Sequence, residues 1–102
     1  MNDVESNLTR QEVCQETAKI HWKELQRFFA GGLAFAVAAD LDLVDVAYQC
    51  SLDNKIKVQE WIREHKLAKV TDKQSIEWFE TDAEVWAVVV NPWVLVQGIS
   101  TG

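Results

Sequence analysis

The sequence predicts an α+β protein with the element order of a winged helix-turn-helix. Three observations support this: two helical patterns separated by a tight turn at residues 43–65, short apolar runs bounded by glycine or charged residues, and the almost wholly apolar stretch "EVWAVVVNPWVLVQ" at residues 84–97. The predicted order is helix, strand, helix, helix, strand, short helix, strand and strand. A chain of 102 residues is the size of one domain. We therefore expect a single domain over residues 1–102, with flexible ends at 1–8 and 98–102.

The first helix is predicted over residues 10–30. Thr9 followed by Glu12 has the spacing of a capping box, which satisfies the free amide groups at a helix start. Apolar residues then recur with an approximate helical period at Val13, Ala18, Ile20, Trp22, Leu25, Phe28 and Phe29. The pattern stops at Gly31-Gly32, where a left-handed end of a helix is readily formed.

A strand and two further helices follow. "LAFAVAA", residues 33–39, is short and apolar and favours a strand. Asp40 or Asp42 can cap a helix over residues 43–51, whose apolar residues share one face. Asp53 is predicted to cap the next helix, over residues 54–65, after a turn of three or four residues.

The C-terminal part contains the remaining strands. "LAKV", residues 67–70, alternates like a short strand, and Thr71 with Gln74 forms a second capping box before a short helix at residues 72–80. Strands are then predicted at 85–90 and 93–97, with a turn at Asn91-Pro92. In a winged helix-turn-helix, the strands before and after the short helix would form the wing.

The strand at residues 85–90 is apolar on both faces, so both faces should be covered. One cover is expected from the helices, and the second from either the long N-terminal helix or a second copy of the chain. We therefore predict a homodimer, and expect Val89→Asp to unfold or dissociate it. The residues assigned to the core or to an interface are Trp86, Val88, Val89, Val90, Trp93 and Leu95.

The composition excludes several classes of protein. Apolar residues make up 48% and charged residues 25%, which is typical of a globular protein. Cys14 and Cys50 lack the spacing of a zinc site or disulfide framework and are expected to be buried thiols in a reducing compartment. The sequence shows no secretory signal pattern and no apolar run long enough to cross a membrane, so a cytoplasmic protein without membrane contact is expected.

No catalytic arrangement is recognised. His21 and His65 lie in no metal or catalytic motif, and the acids at 40, 42, 45 and 53 are explained by capping of helix starts. We therefore predict a non-enzymatic interaction protein without metal or cofactor, with another protein as a further possible partner.

A locally basic segment provides an alternative. Six of the ten Lys and Arg residues lie between positions 55 and 73, in a protein with a net charge of −6. A helical projection places Lys55, Gln59, Arg63 and Lys66 on one stripe, as in a helix that enters the major groove of DNA. A solvated helix face is the simpler explanation of the stripe, and the five Trp residues are assigned first to the core or an oligomer interface and second to stacking of bases. Nucleic-acid binding is therefore the alternative function.

Four motifs resemble, in order and over nearly the whole chain, a family of small bacterial proteins known as domain of unknown function, family 2288. These motifs are "DLDLVDVA", "VQEWI", "LAKV" and, most specifically, "WAVVVNPWVLVQ". The resemblance implies a stand-alone bacterial cytoplasmic protein with no assigned activity. It therefore supplies no catalytic residues for this chain.

Overall fold

The computed structural model describes residues 9–90 and 92–99. They form a five-stranded mixed sheet with helices on both faces, which confirms the α+β prediction. The helices of this part of the chain are α1 (Arg10–Glu16), α2 (Gln26–Ala30), α3 (Leu43–Ser51), α4 (Lys55–Arg63) and α5 (Asp72–Glu80), with a 3-10 helix at Trp22–Leu25. The strands are β1 (Ala18–His21), β2 (Ala34–Val37), β3 (Leu67–Lys69), β4 (Glu84–Val90) and β5 (Trp93–Gly98).

The strand order in the sheet is β1-β4-β5-β2-β3. Strand β4 pairs antiparallel with β1 and β5, β5 pairs parallel with β2, and β3 lies antiparallel to β2 at the edge. Two strands separate β3 from β4, so these two do not form the hairpin that we predicted as the wing. The winged helix-turn-helix assignment is therefore not confirmed, although α3 and α4 follow one another as predicted.

The N-terminal segment differs most from the prediction. The single helix expected over residues 10–30 is wrong, because the chain leaves the helix at Thr17 and forms β1 before turning into the 3-10 helix and α2. In β1, Ala18 lies opposite Ala87 and Ile20 opposite Val85. The apolar residues before and after β1 cover opposite faces of the sheet, which one straight helix could not do.

The first face of the sheet is covered by α1, α3 and α4. Its core contains ten buried apolar residues: Val13, Val37, Leu43, Val46, Ala47, Trp61, Leu67, Val88, Val90 and Leu95. Residues opposite one another in paired strands share a face, so Val88 and Leu95 belong to the same side. This face holds the helix pair that the sequence predicted.

The second face is covered by the 3-10 helix, α2 and α5. Its buried apolar residues are Trp22, Leu25, Ala34, Val70, Val85, Ala87, Val94 and Val96. Trp22 is fully buried, lies edge-on to Trp78 with ring centroids 5.1 Å apart, and donates its indole N–H to Ser75 Oγ at 3.1 Å. Both faces of the apolar strand therefore bury residues within one chain, while Trp86 and Val89 stay partly exposed. Residues 22–30, part of the predicted first helix, supply much of the second cover.

Helix starts follow the predicted capping chemistry with one exception. The capping boxes at Thr9 and Thr71 are both formed, and the Asp42 carboxylate accepts from the amide of Val44. The cap of α4 is Asn54 and not Asp53, because the Asn54 side chain accepts from the α4 backbone. Asp53 has a left-handed φ of 57° in the turn between α3 and α4, a conformation that Asp tolerates better than most residues.

The ends and the cysteines complete the comparison. Strand β5 ends at Gly98, the first residue of the predicted flexible end, which stays a prediction. Residues 1–8, residues 100–102 and Asn91 of the predicted turn lie outside the described residues. Cys14 is exposed, contrary to expectation, and Cys50 is half-buried. No helix in the described part of the chain has the length and apolar character needed to cross a lipid bilayer.

Candidate functional site

A cleft of about 300 Å³ lies between α4 and the first face of the sheet. It is bounded by the turn that joins α3 to α4, by α4 itself, and by residues of β2, β3 and β5. Its apolar residues are Phe35, Cys50, Val58, Ile62, Leu67, Trp93 and Leu95. Its polar residues are Asp53, Asn54, Lys55 and Gln59. An apolar concavity with a few polar groups at its margin is the usual form of a binding site.

The cleft exists because α4 is only partly covered by the sheet. Trp61 is the one residue of α4 that is buried. Ile62, on the same apolar side of the helix, is 50% exposed, and Trp93 at the start of β5 is 43% exposed. A core helix normally buries its whole apolar stripe. The apolar wall between Ile62 and Trp93 is therefore open to an occupant.

The interior of the cleft favours apolar groups. Leu67 and Leu95 are buried at 4% and 3% exposure. Burial raises the pKa of the Cys50 thiol, so this thiol is protonated and uncharged at neutral pH. The cleft therefore suits hydrophobic side chains. Within the described residues, no three His, Cys, Asp or Glu side chains gather where they could hold a metal ion.

The predicted basic stripe is only partly brought to the cleft. Lys55 and Gln59 line it, and Arg63 continues the same stripe on the exposed surface. Lys66 instead forms an ion pair with Asp40, whose carboxylate lies 2.9 Å from the ammonium nitrogen. The hydrogen bond from Lys66 lowers the pKa of Asp40. One of the three cations of the predicted stripe is thus compensated by a partner that the sequence analysis had assigned only to capping.

The residues predicted as core or interface divide into two groups. Val88, Val90 and Leu95 are buried, at 2%, 8% and 3% exposure. Trp86, Val89 and Trp93 are 37%, 45% and 43% exposed. Val89 lies on the second face of the sheet, opposite to Val88 and Val90, and beyond the residues 84–87 with which β1 pairs.

Sequence reasoning missed the open wall of the cleft. The helical period puts Ile62 beside Val58 and Trp61 on the apolar side of α4, but periodicity gives the side of a helix and not how closely that side approaches the sheet. Trp93 was assigned to core or interface without a partner. The available signal was the Asn-Pro pair that precedes Trp93, which places this residue at a strand end, where coverage is least complete.

Comparison with known proteins supports the resemblance found in the motifs. The sequence matches the family model described as "Protein of unknown function (DUF2288)" over residues 8–98. No curated protein sequence matches the chain significantly. The NMR solution structure of PA1075 from Pseudomonas aeruginosa is similar in fold, with a TM-score of 0.78 and 43% identity over 86% of this chain and 82% of that one. The chain therefore belongs to the DUF2288 family, whose function is unknown.

Proposed function

We propose that this protein is a non-enzymatic interaction protein. In the cleft beside α4 it binds a segment of a protein partner in which acidic residues flank apolar ones. The observation that carries the proposal is the open apolar wall formed by Ile62 and Trp93, each about half exposed. Exposed aromatic and aliphatic groups that line one concavity are typical anchors of protein interfaces.

The charge around the cleft favours an acidic partner. Within the described residues, neither Lys55, which lines the cleft, nor Arg63, which continues its stripe, forms an ion pair. These cations are available to carboxylates that flank an apolar anchor. Exposed charges of this kind contribute more to the rate and specificity of association than to affinity.

The homodimer predicted from the strand at 85–90 has lost its original support, because both faces of that strand are covered within the chain. Self-association now depends on the cleft.

A cytoplasmic location in a bacterium is part of the same proposal. Its support is that Cys14 and Cys50 are free thiols and that the similar structure is from Pseudomonas aeruginosa.

The cleft can be tested with two synthetic helical peptides. One has glutamates on one face and leucine and phenylalanine on the other, and its counterpart has lysines in place of the glutamates. We expect the acidic peptide to shift the NMR signals of the Ile62 methyl groups and the Trp93 indole. It should bind at least about tenfold more tightly than its counterpart, which corresponds to a difference of about 1.4 kcal/mol in binding free energy. Ile62→Asp should abolish these effects.

Ile56→Asp provides the matched control, because Ile56 lies on the same helix, is 73% exposed, and is outside the cleft. This variant should bind the acidic peptide as the wild type does. The proposal is wrong if neither peptide shifts the cleft signals at millimolar concentration, or if the two aspartate variants lose binding equally.

Nucleic-acid binding is the second candidate, favoured by the presence of Trp93, Lys55 and Gln59 in one cleft. An exposed aromatic ring beside a cation can stack a base and contact a phosphate. In this proposal α3 and α4 act as a helix-turn-helix, with α4 as the recognition helix. The ion pair of Lys66 with Asp40 and the exposed Glu60 and Glu64 reduce the positive potential of that helix.

For this candidate we expect salt-sensitive binding to a single-stranded or duplex oligonucleotide, measured by fluorescence anisotropy. Replacing Lys55 with alanine should lower the log–log salt slope by about one, because one phosphate contact is lost. Lys73→Ala, on α5, is the control and should leave the slope unchanged. Unchanged anisotropy with both oligonucleotides at low salt excludes nucleic-acid binding.

A further inference from the structure

We infer that the partner of the cleft is a second copy of this chain, which inserts the outer face of its α5 helix. The inference rests on the proposed function, since it names the occupant of the same cleft. It predicts head-to-tail association, in which the α5 of one molecule contacts the α4 of the next.

The outer face of α5 carries two exposed apolar side chains. Ile76 is 57% exposed and Phe79 is 49% exposed, and a spacing of three residues places them on one side of the helix. The inner side is occupied by Ser75, which is buried, and by Trp78, which packs on Trp22. The helix is therefore fixed to its own sheet while it presents two apolar side chains outward.

The charges of the two surfaces are complementary. Residues 72–84 contain five carboxylates and one lysine. Glu77 and Glu80 lie beside Ile76 in a shallow depression on the surface of α5, which Lys73 and Thr81 also line. The α4 surface offers Lys55 at the cleft and Arg63 on the same stripe. An amphipathic helix that lays its apolar side chains into a groove, with opposite charges at the margins, is a common mode of recognition.

The ring of Phe79 already accepts a cation in the isolated chain. The Lys23 ammonium lies 5.2 Å from the centre of the ring. Such a contact strengthens when it is removed from water. Docking of α5 in a cleft rimmed by lysine and arginine would place the same ring among further cations, so the exposed face of Phe79 is suited to this environment.

The positions of the two surfaces determine the symmetry of the assembly. Helix α4 lies over the first face of the sheet, whereas α5 lies over the second. In a two-fold dimer, α4 of each molecule would contact α5 of the other at the same time. This requires the two surfaces to lie on one side of the molecule. Surfaces on opposite sides produce a heterologous contact that closes into a ring or continues as a chain. The expected assembly is thus larger than the dimer predicted from the sequence.

Two complementary variants test this contact. Ile62→Asp blocks the cleft and leaves α5 intact, whereas Ile76→Asp blocks α5 and leaves the cleft intact. By light scattering from micromolar to millimolar concentration, the wild type should grow beyond a dimer and each variant should remain monomeric. An equimolar mixture of the two variants should form a 1:1 dimer and nothing larger, because only one productive contact remains. Ile56→Asp should behave as the wild type does.

Charge reversal provides a second measurement that does not depend on placing aspartate beside the core. The double variant Lys55→Glu with Arg63→Glu should weaken self-association at least about tenfold, which is about 1.4 kcal/mol. Its mixture with Glu77→Lys and Glu80→Lys should recover the association. Circular dichroism confirms that each variant is folded before its mass is measured.

The outcomes separate this inference from the proposed function. A wild type that is monomeric over the whole range, a wild type that stops at a dimer, or a variant mixture that stays monomeric each overturns head-to-tail association. If the acidic peptide still shifts Ile62 and Trp93 in that case, the cleft is a site for a different partner. If the peptide also fails to bind, both proposals are wrong.

Discussion

Val88→Asp is expected to leave the chain largely unfolded at neutral pH, whereas Val89→Asp is expected to leave it folded. Val88 is 2% exposed within the core of the first face, opposite Leu95 on the neighbouring strand. A carboxylate there would be buried without a partner, which belongs to the class of substitutions that cost about 4–5 kcal/mol or more. The whole stability of a domain of this size is about 5–15 kcal/mol.

Val89 differs because its side chain is 45% exposed. An aspartate at this position remains hydrated, so its cost is that of lost strand propensity and partial packing, about 1 kcal/mol. This reverses the expectation from the sequence, in which Val89→Asp would unfold or dissociate the protein. The strand alternation had treated Val89 as equivalent to Val85 and Ala87.

Urea denaturation followed by circular dichroism distinguishes the two variants. Val88→Asp should show little or no native baseline, and Val89→Asp should show a cooperative transition at a slightly lower midpoint than the wild type. Equal destabilisation by the two substitutions would mean that the first and second faces are not covered as described. Val89→Thr provides the control, because it keeps the branched shape of the side chain and introduces no charge.

Trp22→Ala should have the second largest effect, a loss of about 3–5 kcal/mol of unfolding free energy. Trp22 is fully buried between Phe29, at a centroid distance of 5.9 Å, and Trp78. Removal of the indole leaves a cavity and also deprives the buried Ser75 hydroxyl of its donor. The 3-10 helix would then lose its principal anchor on the second face.

Trp93→Ala is the matched control, because the same side chain is removed from a position that is 43% exposed. Its cost should be about 1 kcal/mol, since no buried cavity is created. Ser75→Ala should also cost about 1 kcal/mol, the usual value of one hydrogen bond. If Trp22→Ala and Trp93→Ala shift the urea midpoint equally, the second face does not depend on Trp22 in the way that its contacts indicate.

Local features of the fold could be predicted because they depend on nearby residues. Helix α3 has the predicted bounds of 43–51, and α5 begins where the capping box of Thr71 and Gln74 places it. The strands of "EVWAVVVNPWVLVQ" were recognisable from two short runs of apolar residues and the proline between them. In each case the signal lies within a few residues of the element that it determines.

The segment at residues 17–21 could not be predicted because its partner is distant in the sequence. Ile20 pairs opposite Val85, and this pairing decides in favour of a strand although the residues fit a helical period. The site shows the same limit. Periodicity located the basic stripe of α4, but the pairing of Lys66 with Asp40 and the open position of Ile62 depend on how the helices pack in three dimensions.

The position of β4 and β5 in the sheet also has a consequence for the synthesis of the protein. These strands lie at the centre of the sheet, and each contributes to both cores, yet they come last among the described elements. Until residues 84–98 leave the ribosome, α1, α3, Trp22 and Trp78 lack the β4 and β5 residues that complete their cores. Both cores can therefore close only after residues 84–98 are synthesised, and a chain that ends before residue 84 would expose both apolar layers to cellular proteases and to aggregation.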